Sequence, residues 1–208
     1  MSSDRNTRTK ATKRDLIVDA ASRSFFEHGY AASSIEQISA DAGVSKVTVY
    51  KHFGDKSALL SAAVERECDR MRGHFELEPT GCGTIAERLF TIGEAMVAFL
   101  ARPKMIQFER RIAAETERDP EIGQAFLNSG PRTMMAALAR LLEAIDASGD
   151  LSIADPMLAA EQFAAMCKGF GDLERRFGVT TDGATDRRRI EAAVDVFLKA
   201  YAPANRRS

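Results

Sequence analysis

Residues 33–56 read Ser33-Ser-Ile-Glu-Gln-Ile-Ser-Ala-Asp-Ala-Gly-Val-Ser-Lys-Val-Thr-Val-Tyr-Lys-His-Phe-Gly-Asp-Lys56. Ser33, with Glu36 three residues on, reads as a capping box that opens a short helix. Ile35 and Ile38 give that helix one apolar face, and it stops before Gly43. A second short helix is predicted from about Ser45 to His52, with Val44, Val49 and Phe53 turned inward. Gly54 and Asp55 break it, and Asp55 is placed to cap the helix that follows. Two short helices around a glycine turn form the helix-turn-helix pattern, so this stretch predicts an all-α DNA-binding head.

Working outward, a helix is predicted from about Lys13 to His28. Ile17, Ala20, Ala21, Ser24 and Phe25 form its buried stripe, and Gly29 stops it. Residues 1–12 are polar and basic without periodicity. They fit either an arm that follows the phosphate backbone or the minor groove, or a frayed terminus. Downstream, a helix from Asp55 to about Phe75 precedes a break at Pro79, Gly81 and Gly83. Helices are then predicted at about 84–100, 103–117, 120–128, 131–147, 156–176 and 186–201. Asp155-Pro156 is a clear start signal. The chain shows neither repeats nor strand-type alternation. The expected organisation is an arm at 1–12, a three-helix head at 13–56, a larger helical body at 57–202 and a polar tail at 203–208.

The chain has 208 residues, 45% of them hydrophobic, enough to build a core. The net charge of -1 is unevenly spread. Up to Lys56 there are 9 basic and 7 acidic residues, a net of +2; the remaining 20 basic and 23 acidic residues net -3. A basic head on an acidic body fits one module that meets phosphates and another that does not. Cys68, Cys82 and Cys167 have no metal or redox spacing, and His28, His52 and His74 are scattered, so neither metal nor cofactor is expected. The absence of a long apolar run or a secretory leader makes the cytoplasm the expected compartment.

On the second short helix, Lys46 and Lys51 can donate to phosphate, and lysine can also read guanine. Ser45 and Thr48 carry hydroxyls for either target, and Tyr50 has a ring for sugar and a hydroxyl for phosphate. The pattern AGVS, then T-x-Y-x-H-F, then G-D-K, with FFEHGYAASS at 25–34 before it, resembles the DNA-binding domain of the TetR family of repressors. This resemblance covers about residues 12–65. FERRIAAETERDPEIGQAF at 108–126 and GFGDLERRFG at 169–178 are similar to the regulatory domain of one branch of that family.

The resemblance implies a head that binds a roughly palindromic double-stranded operator, joined to a helical ligand-binding and dimerisation domain. Repression is the usual mode. At these positions it implies base or phosphate contacts by Ser33, Ser45, Lys46 and Thr48, backbone contacts by Tyr50, Lys51 and His52, and a phosphate contact by Lys56. Family members commonly carry a small residue where this chain has Val47, which can instead meet a thymine methyl.

The body is rich in Phe and Met, which can line a cavity or fill a core. With the resemblance, Phe90, Met96, Phe99, Phe108, Phe126, Met134, Phe163, Met166 and Phe170 are candidates for lining an effector pocket. Arg110 or Arg111 either points inward to a carboxylate-like group or pairs with Glu109, Glu115 or Glu117. The last two helices, with Leu158, Phe163, Met166 and Phe170 on one and Ile190, Val194, Phe197 and Leu198 on the other, are expected to form a homodimer interface, or else to cover their own core. Catalytic motifs are lacking, so an enzyme is not expected. The expected function is a repressor released by a small, largely apolar molecule; a redox-responsive regulator is the alternative.

Overall fold

Thr12 opens the first helix with a reciprocal cap: its Oγ1 accepts the Asp15 N–H at 3.1 Å, and the Asp15 carboxylate accepts the Thr12 N–H at 3.0 Å. The structure is a computed structural model that describes residues 11–72 and 83–203. The arm up to residue 10, the Pro79–Gly81 break, the expected helical residues past Arg72 and the tail beyond residue 203 lie outside the described residues. Within the described residues the chain is helical, without strands.

The head contains α1 (Lys13–His28), α2 (Ile35–Asp41) and α3 (Lys46–Phe53). Ile17, Ala20, Ala21, Ser24 and Phe25 of α1 are buried as the stripe predicted, and they meet Ile35 and Ile38 of α2 and Val49 of α3. One local expectation is corrected. The cap of α2 is Ser34, whose Oγ accepts the Gln37 N–H at 3.1 Å, and not Ser33. Ser33 is buried; its hydroxyl donates to the Gly29 carbonyl at 2.7 Å and bonds the Ser24 hydroxyl at 2.8 Å. It therefore fastens the α1–α2 turn to α1.

α4 (Lys56–Arg72) runs against α1. Arg66 on α4 reaches both Asp15 and Asp19 on α1, each at 2.7 Å. The body comprises α5 (Ile85–Leu100), α6 (Pro103–Thr116), α7 (Pro120–Ser129), α8 (Pro131–Ala147), α9 (Pro156–Arg176) and α10 (Gly183–Ala200). Proline stands at the first turn of α6, α7, α8 and α9, where its missing N–H costs no helical bond. α10 starts three residues before its predicted position because Asp182 caps it, accepting the Thr185 N–H at 2.7 Å.

Helices α8, α9, α10 and α5 pack in sequence around Leu89, Ile92, Leu138, Leu142, Phe163 and Phe197. α9 is broken at Gly169 (φ 50°, ψ -156°), where an added Cβ would lie 2.4 Å from the Arg189 side chain. Arg189 lies across this kink, and Asp186 holds both it (2.6 Å) and Arg175 (2.8 Å), so the break in α9 is fixed from α10. Head and body meet where α6 crosses the end of α1. There the Phe26 ring stacks on Phe108 at 4.1 Å, and Arg111 donates to the carbonyls of Phe26 and Glu27.

Candidate nucleic-acid interface and body cavity

α3 is held from below by Val49 and capped by Ser45, whose Oγ accepts the Thr48 N–H at 3.2 Å. The two hydroxyls also bond each other at 2.9 Å, so Ser45 and Thr48 shape the start of the helix before they meet any partner. Val47 is 76% exposed and Tyr50 48% exposed, both on the outward side of α3. Lys51 and His52 are exposed on the last turn. The residues at the outer surface of α3 are therefore Lys46, Val47, Tyr50, Lys51 and His52.

Electrostatics divides the lysines. Lys46 is bonded to Glu36 of α2, which holds the Glu36 carboxyl below its usual range and raises the Lys46 ammonium. The pair is exposed and contributes little to stability. It does offer Lys46 a competing anion. Lys56 at the start of α4 is half-buried, with its ammonium 4.3 Å from the centre of the Tyr30 ring. Burial lowers the Lys56 pKa, and Glu115 partly opposes this. Lys51 has no ion pair among the described residues.

Head and body together line a partly open cavity of about 690 Å³. Seven helices, α1 and α4 to α9, contribute to its wall. Met96, Phe99, Phe126 and Met134, four of the expected lining residues, border it. The other six stand elsewhere. Phe108 is fully buried behind the wall between Phe26 and Phe126. Phe163 packs edge-on to Phe197 at 5.3 Å in the core. Phe90 carries the Arg187 guanidinium on its ring at 4.7 Å, and Met166 packs half-buried against the core. Phe170 is 70% exposed and Arg110 is exposed. Arg111 turns to α1, where it satisfies carbonyls that the helix end leaves free.

Several lining residues were not among the expected lining set: Phe26 from the head, Cys68 from α4, Glu109 from α6, and Lys168 and Arg176 from α9. A signal for Glu109 existed. Met105, Glu109 and Ile112 follow helical spacing, so the glutamate sits between two apolar residues of the inward stripe. Desolvation raises its pKa, Asp172 adds to the rise, and Arg176, 3.3 Å away, and Lys168 oppose it.

Cys68 and Cys167 are free and buried. Burial pushes the Cys167 thiol up to about 12, so it is not a thiolate near neutral pH. Cys82 lies outside the described residues. Among the described residues no cluster of His, Cys, Asp and Glu could hold a metal ion, and no helix is long and apolar enough to cross a membrane.

Comparison with known proteins matches two separate stretches of the chain. Residues 17–63 match the model of bacterial regulatory proteins of the tetR family, and residues 87–203 match the C-terminal domain of AefR-like transcriptional repressors. The HTH-type transcriptional repressor Rv1474c of Mycobacterium tuberculosis is 27% identical over 134 residues, 63% of this chain and 65% of that protein. The chain thus spans somewhat under two thirds of this relative's length. A TetR-family transcriptional regulator of Mesorhizobium loti superposes with a TM-score of 0.77 at 28% identity, covering 97% of this chain and 100% of its own. The flavonoid-responsive regulator FrrA superposes at 0.74 with 32% identity, covering 92% of this chain and 98% of its own. With an α1–α3 head, a helical body and family models that together reach from residue 17 to 203, the chain belongs to the TetR family of bacterial transcriptional regulators, which are not enzymes.

Proposed function

We propose that the chain is a repressor that binds a roughly palindromic operator as a homodimer in the cytoplasm and is released by a small, largely apolar effector. The observation that carries this reading is the cavity wall. Phe26 of α1 and Val64 and Cys68 of α4 border the same space as the body helices. Both helices pack with α3 in one core. A molecule that fills the cavity therefore touches the elements that set where α3 stands. By linkage it weakens DNA binding if it prefers the arrangement that fits the operator badly. The FrrA neighbour, described as flavonoid-responsive, supports an organic effector for this architecture.

In this reading residues 13–56 form the reading head and 57–202 the regulatory and dimerisation domain. Lys46, Val47, Thr48 and Ser45 face the groove, Tyr50, Lys51 and His52 the backbone, and Lys56 a phosphate. Ser33 is left out, because its hydroxyl is buried and bonded. The dimer forms through α9 and α10. Leu158, Phe170, Leu173 and Phe177 on or just after α9 and Val196 on α10 are exposed and available to a second copy. Phe163, Ile190, Val194 and Phe197 instead fill the protomer's own core.

The test is to sequence the DNA fragments retained by the purified protein, then titrate apolar compounds into the protein–operator complex. A recovered inverted repeat, released by a compound that also raises the melting temperature, supports the reading. Indifference to sequence would overturn the operator half; a complex that no binding compound releases would overturn the effector half.

A further inference from the structure

The cavity is apolar over most of its wall but carries a polar end with both signs of charge. Phe26, Phe99 and Phe126 supply rings, and Met96, Met105 and Met134 supply polarisable thioethers. Glu109, Arg176 and Lys168 supply its central charges, and the carboxylates of Glu67 and Glu161 also border the space. Arg176 is shared: it holds Glu109 at 3.3 Å and Asp172 at 3.2 Å. The second carboxylate oxygen of Glu109, Oε1, has no hydrogen-bond donor among the described residues, and Lys168 has no ion pair among them. A half-buried carboxylate that can accept several donors and an ammonium with three N–H groups are both left underused.

This polar end discriminates by charge. A ligand carboxylate drawn to Lys168 would enter beside Glu109 and Asp172, with Arg176 already shared between them. An ammonium drawn to Glu109 would enter beside Lys168 and Arg176. Either ion would also give up part of its hydration, although this end is open enough to leave the Arg176 side chain 46% exposed. A neutral hydroxyl meets neither objection, since it donates to one group and accepts from the other. Rings stack on phenylalanine and pack against methionine sulfur. A space of about 690 Å³ suits a molecule of two or three rings.

We propose that the effector is an uncharged, hydroxyl-bearing aromatic compound whose phenolic O–H donates to Glu109 while Lys168 donates to the phenolic oxygen. This rests on reading the cavity as the effector site. Desolvation of Glu109, which raises its pKa, is in keeping with a carboxylate short of donors until the ligand arrives.

The experiment uses the full chain and five probes that share one biphenyl frame: 4-phenylphenol, 4-methoxybiphenyl, 4-methylbiphenyl, biphenyl-4-carboxylate and 4-phenylbenzylammonium. Affinities are measured by calorimetry for the wild type, Glu109→Leu and Lys168→Met. In the wild type 4-phenylphenol is expected to bind about tenfold or more tightly than the other four. In Glu109→Leu its advantage over 4-methylbiphenyl should fall to about twofold or less. Persistent binding of 4-methylbiphenyl shows that the variant is folded and its cavity intact. Lys168→Met should reduce the advantage over 4-methylbiphenyl more than that over 4-methoxybiphenyl, because the methoxy oxygen also loses its donor. If either charged probe binds most tightly, or the phenol keeps its advantage in Glu109→Leu, the assignment of chemistry is overturned while the cavity remains an effector site. If none of the five binds, the effector reading of the cavity falls and this inference with it.

Discussion

The Glu115 carboxylate on α6 accepts the backbone N–H of Ala31, in the turn after α1, at 3.0 Å. One helical turn earlier, Arg111 holds the last carbonyls of α1. A body helix that also lines the cavity thus grips the turn leading from α1 to the helix-turn-helix.

This grip predicts two separable effects. Gly29 adopts φ 87° and ψ 175°, and an added Cβ would come within 2.8 Å of Glu115 Oε1. Gly29→Ala should therefore destabilise the chain by about 1–3 kcal/mol in denaturant unfolding. Glu115→Ala removes one surface hydrogen bond and should change global stability little, yet expose the Ala31 amide. Hydrogen exchange checks it: an Ala31 amide equally protected in wild type and Glu115→Ala would show that the carboxylate does not hold the turn.

The surface of α3 predicts a division of labour among its side chains. Lys51→Ala should weaken all DNA alike and reduce the slope of log K against log salt by about 1. Val47→Ala should weaken the operator more than random DNA and leave the slope unchanged, because a methyl contact releases no counterion. Glu36→Gln removes the partner that competes for Lys46 and should tighten binding generally. Binding isotherms at several salt concentrations measure all three. An unchanged affinity for Glu36→Gln would mean that Lys46 does not approach the DNA.

Most helices were legible because their signals are local. Asp155-Pro156 fixes a helix start whatever the tertiary packing, and the structure shows the same kind of local signal in the Asp119 cap before Pro120 and in Thr84 with Glu87. The cap of α2 was misread by one residue because Ser33 and Ser34 adjoin, and the choice depends on Ser33 reaching back to Gly29 and Ser24. The cavity was only partly legible. Phenylalanine at helical spacing marks an inward face without telling wall from core: Phe126 borders the cavity, while Phe163 is packed against Phe197. Phe26 and Arg176 belong to segments 150 residues apart, and only the folded chain brings them to one space.

The exposed apolar residues of α9 and α10 predict how to break the proposed dimer. Phe177 is 80% exposed and Phe170 70% exposed, so a charge at either costs the protomer's own core little. Phe170→Glu with Phe177→Glu should give a folded monomer by sedimentation, with operator affinity sharply reduced. Phe163→Glu would instead unfold the chain, since Phe163 is fully buried. A double variant that still sediments as a dimer would place the interface elsewhere.

Cys167 predicts the outcome for redox control. Its thiol is buried, with the pKa pushed up to about 12. Iodoacetamide at pH 8 should modify it only after denaturant is added, as followed by mass spectrometry. Rapid modification in the native protein, together with loss of DNA binding on oxidation, would revive a redox-responsive regulator.

Glu109 predicts a pH dependence whose sign follows from its surroundings. Desolvation is the largest influence and raises its pKa above 4.5; Asp172 adds to this, and Arg176 and Lys168 oppose it. Between the unfolded and the raised folded values the native state holds more of this proton than the unfolded chain does. Its contribution to stability therefore falls as pH rises through that window and stays at its lower level above the folded pKa. Other carboxylates on the chain behave oppositely; Asp15, lowered chiefly by its bond with Thr12, is one. A comparison of wild type with Glu109→Gln cancels them. The two proteins should melt at similar temperatures near pH 4, where Glu109 is protonated. Above the window the variant should be the more stable, since it no longer carries an ionised carboxylate in the cavity wall. If the wild type is instead the more stable at pH 8, the ion pair with Arg176 outweighs desolvation, and Glu109 is a satisfied anion rather than one short of donors.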